Sequence, residues 1–269
     1  MLTRRAALAL LVPPVARGAL DRYFGETRGT AVLLDLRSRR VVGVHRAEVA
    51  EQWLVPPGST LKPLSLWALL DSGKLRASDV YTCPRKLTIQ GRRFDCSHPP
   101  VSEPMRVPSA IAYSCNCFVT HFAARFDAGE LARFLGAHRL GSPAQISAAS
   151  GMEDCELQAM GEARILVTPS ALLNAYAELA TRAPAPIVEG LEDAVEFGTA
   201  QLAASPKVKI AGKTGTVLNS DGARVVWFAG FAPSRRPEAA VVVAVQGRSG
   251  GLDAAPIGGA ILAEYLAKK

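Results

Sequence analysis

Pro57-Gly58-Ser59-Thr60-Leu61-Lys62-Pro63 divides the chain into two regimes. Before it, Gly29 to Asp35 and Val41 to His45 read as strands joined by the polar tip Arg37-Ser38-Arg39-Arg40, a hairpin pattern. After it, Leu61, Leu64, Leu66, Leu69 and Leu70 mark an apolar helical run that Ser59 opens as a cap. Ser109 to Phe122 and Glu130 to Leu135 read as further helices, punctuated by Pro99-Pro100 and Gly141-Ser142-Pro143. Thr168-Pro169 starts another over Ser170 to Ala180, with its proline suitably early. The last third turns strand-like over Val208 to Thr216, Val225 to Phe231 and Ala239 to Gln246, then closes on a helix from about Ile257 to Leu266. Strands at both ends with helices between predict an α+β fold. It is an antiparallel β-sheet built from both termini, flanked by helices, with an inserted all-helical sub-domain over roughly residues 72–205.

The 269 residues are 49% hydrophobic, enough for a proper core, and favour one domain with a sub-domain over two large ones. The net charge of +7 is spread along the chain, at Arg4, Arg39, Arg92, Arg139 and Arg235 among others. Without a basic run interleaved with aromatics it reads as a solvated basic surface, not a nucleic-acid site. Residues 1–19 have the layout of an export signal. Arg4-Arg5 precede the apolar stretch Ala6 to Val12, too short to span a bilayer, and the small residues Ala16, Gly18 and Ala19 follow. The expected location is therefore extracytoplasmic, periplasmic or similar, with the segment cleaved or kept as an anchor, and residues 20–269 form the domain that carries the motifs read below. Disulfides persist there. Of the five cysteines, Cys83 and Cys96 bracket a short loop and are the candidate disulfide. A zinc site from Cys83, Cys96, His98 and the Cys115/Cys117 pair lacks the paired C-x₂₋₄-C spacing, so no metal is assigned.

Three short motifs carry chemistry. Ser59 and Lys62 are three residues apart at a helix start and share a face. A serine hydroxyl needs a base, and a desolvated lysine can lose its proton and become one. Ser114-Cys115-Asn116 places a hydroxyl, able to relay a proton, beside a carboxamide able to hold a lysine or a substrate carbonyl. Lys213-Thr214-Gly215-Thr216 offers a cation and hydroxyls for a carboxylate, with a glycine that admits a substrate backbone. Taken singly, the first two read more readily as an ordinary cap with a solvated lysine and as ordinary helical polar residues than as chemistry.

Together, and in this order, the motifs resemble the penicillin-recognising serine acyltransferases: penicillin-binding protein transpeptidases, DD-carboxypeptidases and serine β-lactamases. Pro57 to Pro63 is similar to the transpeptidase form of the nucleophile motif, and Ala110 to Phe118 to the second motif, cysteine included. Leu166 to Leu172, Gly198-Thr199-Ala200, Ala211 to Thr216 and Trp227 to Pro233 follow in the family's order, so the resemblance covers roughly residues 30–268. It implies that Ser59 is acylated with Lys62 as base, that Ser114 passes the proton to the leaving amine and that Asn116 holds Lys62 and a substrate amide. It further implies that Lys213, Thr214, Gly215 and Thr216 bind the carboxylate end of a D-alanyl-D-alanine stem peptide of peptidoglycan or of a β-lactam. Backbone N–H groups of Ser59 and Thr216 would form the oxyanion hole, with no metal and no cofactor.

Competing patterns fail on single residues. Gly247-Arg248-Ser249-Gly250-Gly251 fits a nucleophile elbow, but the last histidine, His138, precedes it. Gly212-Lys213-Thr214 imitates the end of a phosphate-binding loop, but Lys207 stands where its first glycine belongs. Within the family, the length leaves no room for an added pedestal or glycosyltransferase domain, and the tyrosine-glycine-asparagine motif is absent because Ser114 follows Tyr113. Asp154-Cys155-Glu156-Leu157-Gln158 only distantly echoes a lactamase deacylation motif and reads as a polar loop entering a helix. A DD-transpeptidase is the expectation. A β-lactamase or DD-carboxypeptidase stands second, and a non-catalytic cell-wall or β-lactam sensor third, with a cell-wall protein as possible partner.

Overall fold

A computed structural model describes residues 16–138, 140, 146–219 and 222–269. The segment expected to direct export falls, up to residue 15, outside these, as do Gly141-Ser142-Pro143 and Ser220-Asp221, which separate two of the C-terminal strands. Its final residues are packed: Ala16 is buried and Arg17 forms a parallel bridge to Val44. Among the described residues no helix is long and apolar enough to cross a membrane.

The sheet is antiparallel and five-stranded. Its strands are β1 (Gly29–Asp35), β2 (Arg40–His45), β5 (Ala211–Leu218), β6 (Arg224–Ala232) and β7 (Ala239–Gln246), in the order β2-β1-β7-β6-β5. The C-terminal strand thus pairs with the N-terminal one, as expected from strands at both ends. The valine-rich run of β7 explains its central place, since β-branched residues suit a strand covered on both faces. Successive side chains go to opposite sides. Val32, Leu34, Trp227, Ala229 and Val242 join one core with the helical region, while Ala31, Leu33, Phe228, Val241 and Val243 join the other. That second core is closed by α9 (Ala255–Ala267) through Ile261 and Leu262 and by the end of α8 (Ala185–Glu196).

Between β2 and β5 lie α1 (Ala47–Gln52), α2 (Lys62–Asp71), the two-residue strands β3 (Thr88–Ile89) and β4 (Arg92–Arg93), and α3 (Val107–Ala112). There follow α4 (Asn116–Ala123), α5 (Glu130–Ala137), α6 (Met152–Ala159), α7 (Pro169–Arg182) and α8. Thr168 caps α7, accepting the Ala171 N–H at 3.2 Å, as its sequence suggested. Three details depart from expectation. Ser59 lies in a 3₁₀ turn, Gly58–Leu61, with α2 starting only at Lys62. The single helix expected over Ser109 to Phe122 is two, broken at Tyr113-Ser114-Cys115. The segment Asp154 to Gln158 is itself helical, in α6. The first two of these fall on the motif residues.

Candidate active site

The nucleophile turn is held on three sides. Gly58 has φ of +53° and donates its N–H to Gly161 O at 3.0 Å. A side chain there would be strained and would meet Val217 Cγ1 at 2.5 Å, so both conformation and space require glycine. Tyr176 of α7 donates its hydroxyl to Thr60 O at 2.8 Å, and Trp227 of β6 donates Nε1–H to Pro56 O at 3.1 Å. Leu61, Leu64, Leu66 and Leu69 are fully buried and anchor α2 beneath the turn.

Lys62 is the first residue of α2 and completely buried. Its Nζ donates to Ser114 O at 2.8 Å, to Ser114 Oγ at 3.2 Å and to Asn116 Oδ1. Burial lowers its pKa to about 8, against the opposing pull of the Cys115 and Cys96 thiols and the Glu162 carboxyl. The break between α3 and α4 makes this grip possible. Ser114 adopts a left-handed conformation, φ +55°, which turns the chain so that its carbonyl and hydroxyl both face Lys62. Asn116 is clamped at both ends, its Nδ2 donating to Phe94 O at 2.7 Å.

The third motif lies on β5, the sheet edge beside the nucleophile turn. Gly215 passes so close that an added Cβ would meet Pro57 O at 2.9 Å and Thr60 Cγ2 at 3.1 Å. Lys213 is fully buried, with its Nζ donating to Thr214 O at 3.1 Å. Burial, then the nearby Lys62 charge, pushes its pKa well below the ordinary lysine value. Thr214 donates its hydroxyl to Thr199 Oγ1 at 2.9 Å, and Thr216 Oγ1 accepts the Gly250 N–H at 3.2 Å. Ser59 is half-buried and Thr216 exposed, so the two oxyanion-hole candidates face solvent while both lysines lie inside. An edge strand also leaves alternate backbone groups unpaired for a substrate.

The structure therefore brings Lys62, Ser114 and Asn116 together, places Ser59 in the turn that leads into Lys62, and sets Lys213 to Thr216 alongside. This chain belongs to the penicillin-binding protein transpeptidase-domain family. That family's model matches residues 29–193 and 185–263. The fold is similar to Pseudomonas aeruginosa PBP2, solved in complex with WCK 5153, with TM-score 0.79, 20% identity, and coverage of 92% of this chain and 76% of that one. It is also similar to the apo TP domain of Burkholderia pseudomallei penicillin-binding protein 3, with TM-score 0.78, 21% identity, and coverage of 93% and 90%. No curated protein matches by sequence.

Several residues of the transpeptidase domain's site had no role assigned from sequence. Thr199 supports Thr214 and is itself placed by its N–H to Ala112 O at 3.1 Å, just before the Ser114 turn. Glu162 follows Gly161, whose carbonyl holds the nucleophile turn. Burial raises the pKa of Glu162 against the charges of Lys62 and Arg92. The acidic segment before it is structural instead: Asp154 pairs with Arg164 at 2.5 Å, and Gln158 donates to Ser147 O at 2.8 Å.

One sequence assignment is corrected. Cys83 and Cys96 are free thiols with sulfurs 3.7 Å apart, not a disulfide. Folding brings further partners to the same point: His98 Nε2 lies 3.5 Å from Cys83 Sγ, and Cys115 Sγ lies 3.8 Å from Cys96 Sγ.

Proposed function

We propose that this chain is a serine DD-transpeptidase acting outside the cytoplasm, acylated at Ser59 by D-alanyl-D-alanine stem peptides of peptidoglycan and by β-lactams. The observation that carries this is the buried Lys62 ammonium. It lies one turn from Ser59 and is surrounded by Ser114 and Asn116 oxygens, with a pKa brought down to about 8. A lysine so placed is neutral often enough near neutral pH to act as a base.

Neutral Lys62 takes the Ser59 proton as Oγ attacks the penultimate carbonyl. Backbone N–H groups of Ser59 and Thr216 receive the oxyanion, and Lys213 with Thr214 and Thr216 holds the terminal carboxylate. Collapse breaks the peptide bond. The departing D-alanine amine collects its proton from Lys62 through the Ser114 hydroxyl, which lies 3.2 Å from Nζ. An acceptor amine then attacks the Ser59 ester, loses a proton to the same relay and restores the serine.

A hydrolytic outcome, as DD-carboxypeptidase or β-lactamase, has one observation in its favour. Glu162 sits next to the residue that holds the nucleophile turn, with a carboxyl made more basic by burial. Such a group can activate water against the acyl-enzyme. Fluorescent penicillin followed over time decides between them. Label that persists on Ser59 supports transfer, whereas loss within seconds that Glu162→Gln slows tenfold or more supports hydrolysis. Release of D-alanine from a D-alanyl-D-alanine peptide separates either enzyme from a sensor, which would label without turnover. Absence of label on the wild type, or equal labelling of Ser59→Ala, would sink the whole reading.

A further inference from the structure

Cys83, Cys96, His98 and Cys115 present four donor atoms that all lie within 4.8 Å of one another. Tetrahedral zinc binds sulfur at about 2.3 Å and nitrogen at about 2.0–2.1 Å, which sets ligand–ligand edges of about 3.8 Å between two sulfurs and about 3.5 Å between sulfur and nitrogen. The structure has these edges: 3.7 Å for Cys83–Cys96, 3.8 Å for Cys96–Cys115 and 3.5 Å for Cys83–His98 Nε2. A disulfide would need about 2.05 Å. Four donors in this arrangement suit one ion better than any single bond between two of them.

The surroundings are also those of a ligand set. His98 Nδ1 lies 2.8 Å from Pro99 O, which fixes the tautomer that leaves Nε2 free to coordinate. Cys83 Sγ accepts the Arg85 N–H at 3.3 Å and Cys115 Sγ accepts the Phe118 N–H at 3.4 Å, bonds that stabilise thiolates. Cys96, His98 and Cys115 are buried, and Cys83 is half-buried at the rim. The fifth nearby sulfur, Cys117, lies 3.5 Å from Cys96 but donates to Lys86 O at 3.7 Å, as a thiol outside the set.

We propose that Cys83, Cys96, His98 and Cys115 form a closed, tetrahedral zinc site that ties the 83–98 loop to the Ser114–Asn116 turn. Three thiolates and an imidazole are a soft set suited to zinc, and four protein donors leave no open position, so the ion is structural rather than catalytic. Binding one Zn²⁺ converts three thiols to thiolates, releases their protons and leaves the cluster with one net negative charge. The site reaches the chemistry through two short links. Cys115 is the residue between Ser114 and Asn116, and Phe94, two residues before Cys96, supplies the carbonyl that orients the Asn116 amide. The zinc thus positions Asn116 and does not touch substrate. This inference stands on the cluster alone and is independent of the acylation reading.

The test uses the full chain, reduced and dialysed against excess Zn²⁺ and then metal-free buffer, with metal measured by elemental analysis. One zinc per chain is expected. Co²⁺ in its place gives the intense visible bands of tetrahedral cobalt–thiolate coordination, a readout that needs no variant. Cys83→Ala, at the half-buried rim, should lose at least about 100-fold in zinc affinity. Cys117→Ser and Cys155→Ser should keep one zinc each. Chelation should lower Tm and slow β-lactam acylation, with zinc restoring both. A wild type that binds neither ion above background overturns the site. So does zinc retained at full affinity by Cys83→Ala, or a Cys96–Cys117 disulfide formed in preference to zinc uptake.

Discussion

Lys62 and Lys213 are both fully buried and both held below the ordinary lysine pKa, yet they sit in opposite company. Lys62 has three oxygen acceptors, one each from the Ser114 backbone, the Ser114 hydroxyl and the Asn116 amide. Among the described residues Lys213 has one carbonyl, its neighbour's, and it faces the charge of Lys62. Desolvation penalises both ammonium groups, but only the first has it offset within the protein. The helical side of the site therefore holds a lysine complete in itself, suited to passing a proton back and forth. The strand side holds a lysine with a single acceptor among the described residues, the one that in the proposed reaction meets the anion of the substrate.

The difference can be broken most severely at Lys62. Lys62→Met keeps the volume and removes the base, and should lower the rate of β-lactam acylation by about 10²- to 10⁴-fold, read by stopped-flow labelling. Lys213→Met should act on binding instead. Losing a charged hydrogen bond to the substrate carboxylate should cut kcat/KM on the order of 10- to 100-fold. The loss should disappear with an analogue lacking that carboxylate. Equal losses on both substrates would show that the two lysines do not divide the work in this way.

A pH profile sharpens the comparison further. A base must be unprotonated, so acylation should rise with pH through about 8 and level off above it. Below that it should fall about tenfold per pH unit, as the neutral fraction does. A flat profile from pH 6 to 9 would remove Lys62 from the base role. The smallest effect concerns the scaffold. Tyr176→Phe deletes the hydroxyl donated to Thr60 O and should cost about 1 kcal/mol of stability in denaturant titration, with acylation little changed.

The same contrast separates what could be read from residue order from what required the folded chain. Lys213-Thr214-Gly215 is a local pattern whose chemistry shows in its spacing, whereas Ser59 with Lys62 becomes legible only through its flanks and its place in the order of the motifs. The central strand was equally legible, because Val241-Val242-Val243 has few other readings. The break between α3 and α4 was not. No glycine or proline marks it, and Ser114 is held in its left-handed conformation by a turn in which Cys115 N–H bonds to Ala110 O at 2.8 Å. The start of α8 carries a signal in Pro184 at the cap and Pro186 in the first turn. Glu162 and the cysteines belong to another kind. Cys83, Cys96, His98 and the Cys115/Cys117 pair are candidate ligands from sequence, but their spacing argues against a metal, and only tertiary packing brings the donor atoms of Cys83, Cys96, His98 and Cys115 together.

The central claim is that Ser59 is the group acylated. Digestion and mass spectrometry of the protein trapped with a β-lactam test it most directly. The account predicts one adduct per chain, on the peptide containing Ser59, and none in Ser59→Ala. An adduct on any other residue, or a wild type that stays unmodified under conditions that saturate a penicillin-binding transpeptidase, would contradict it.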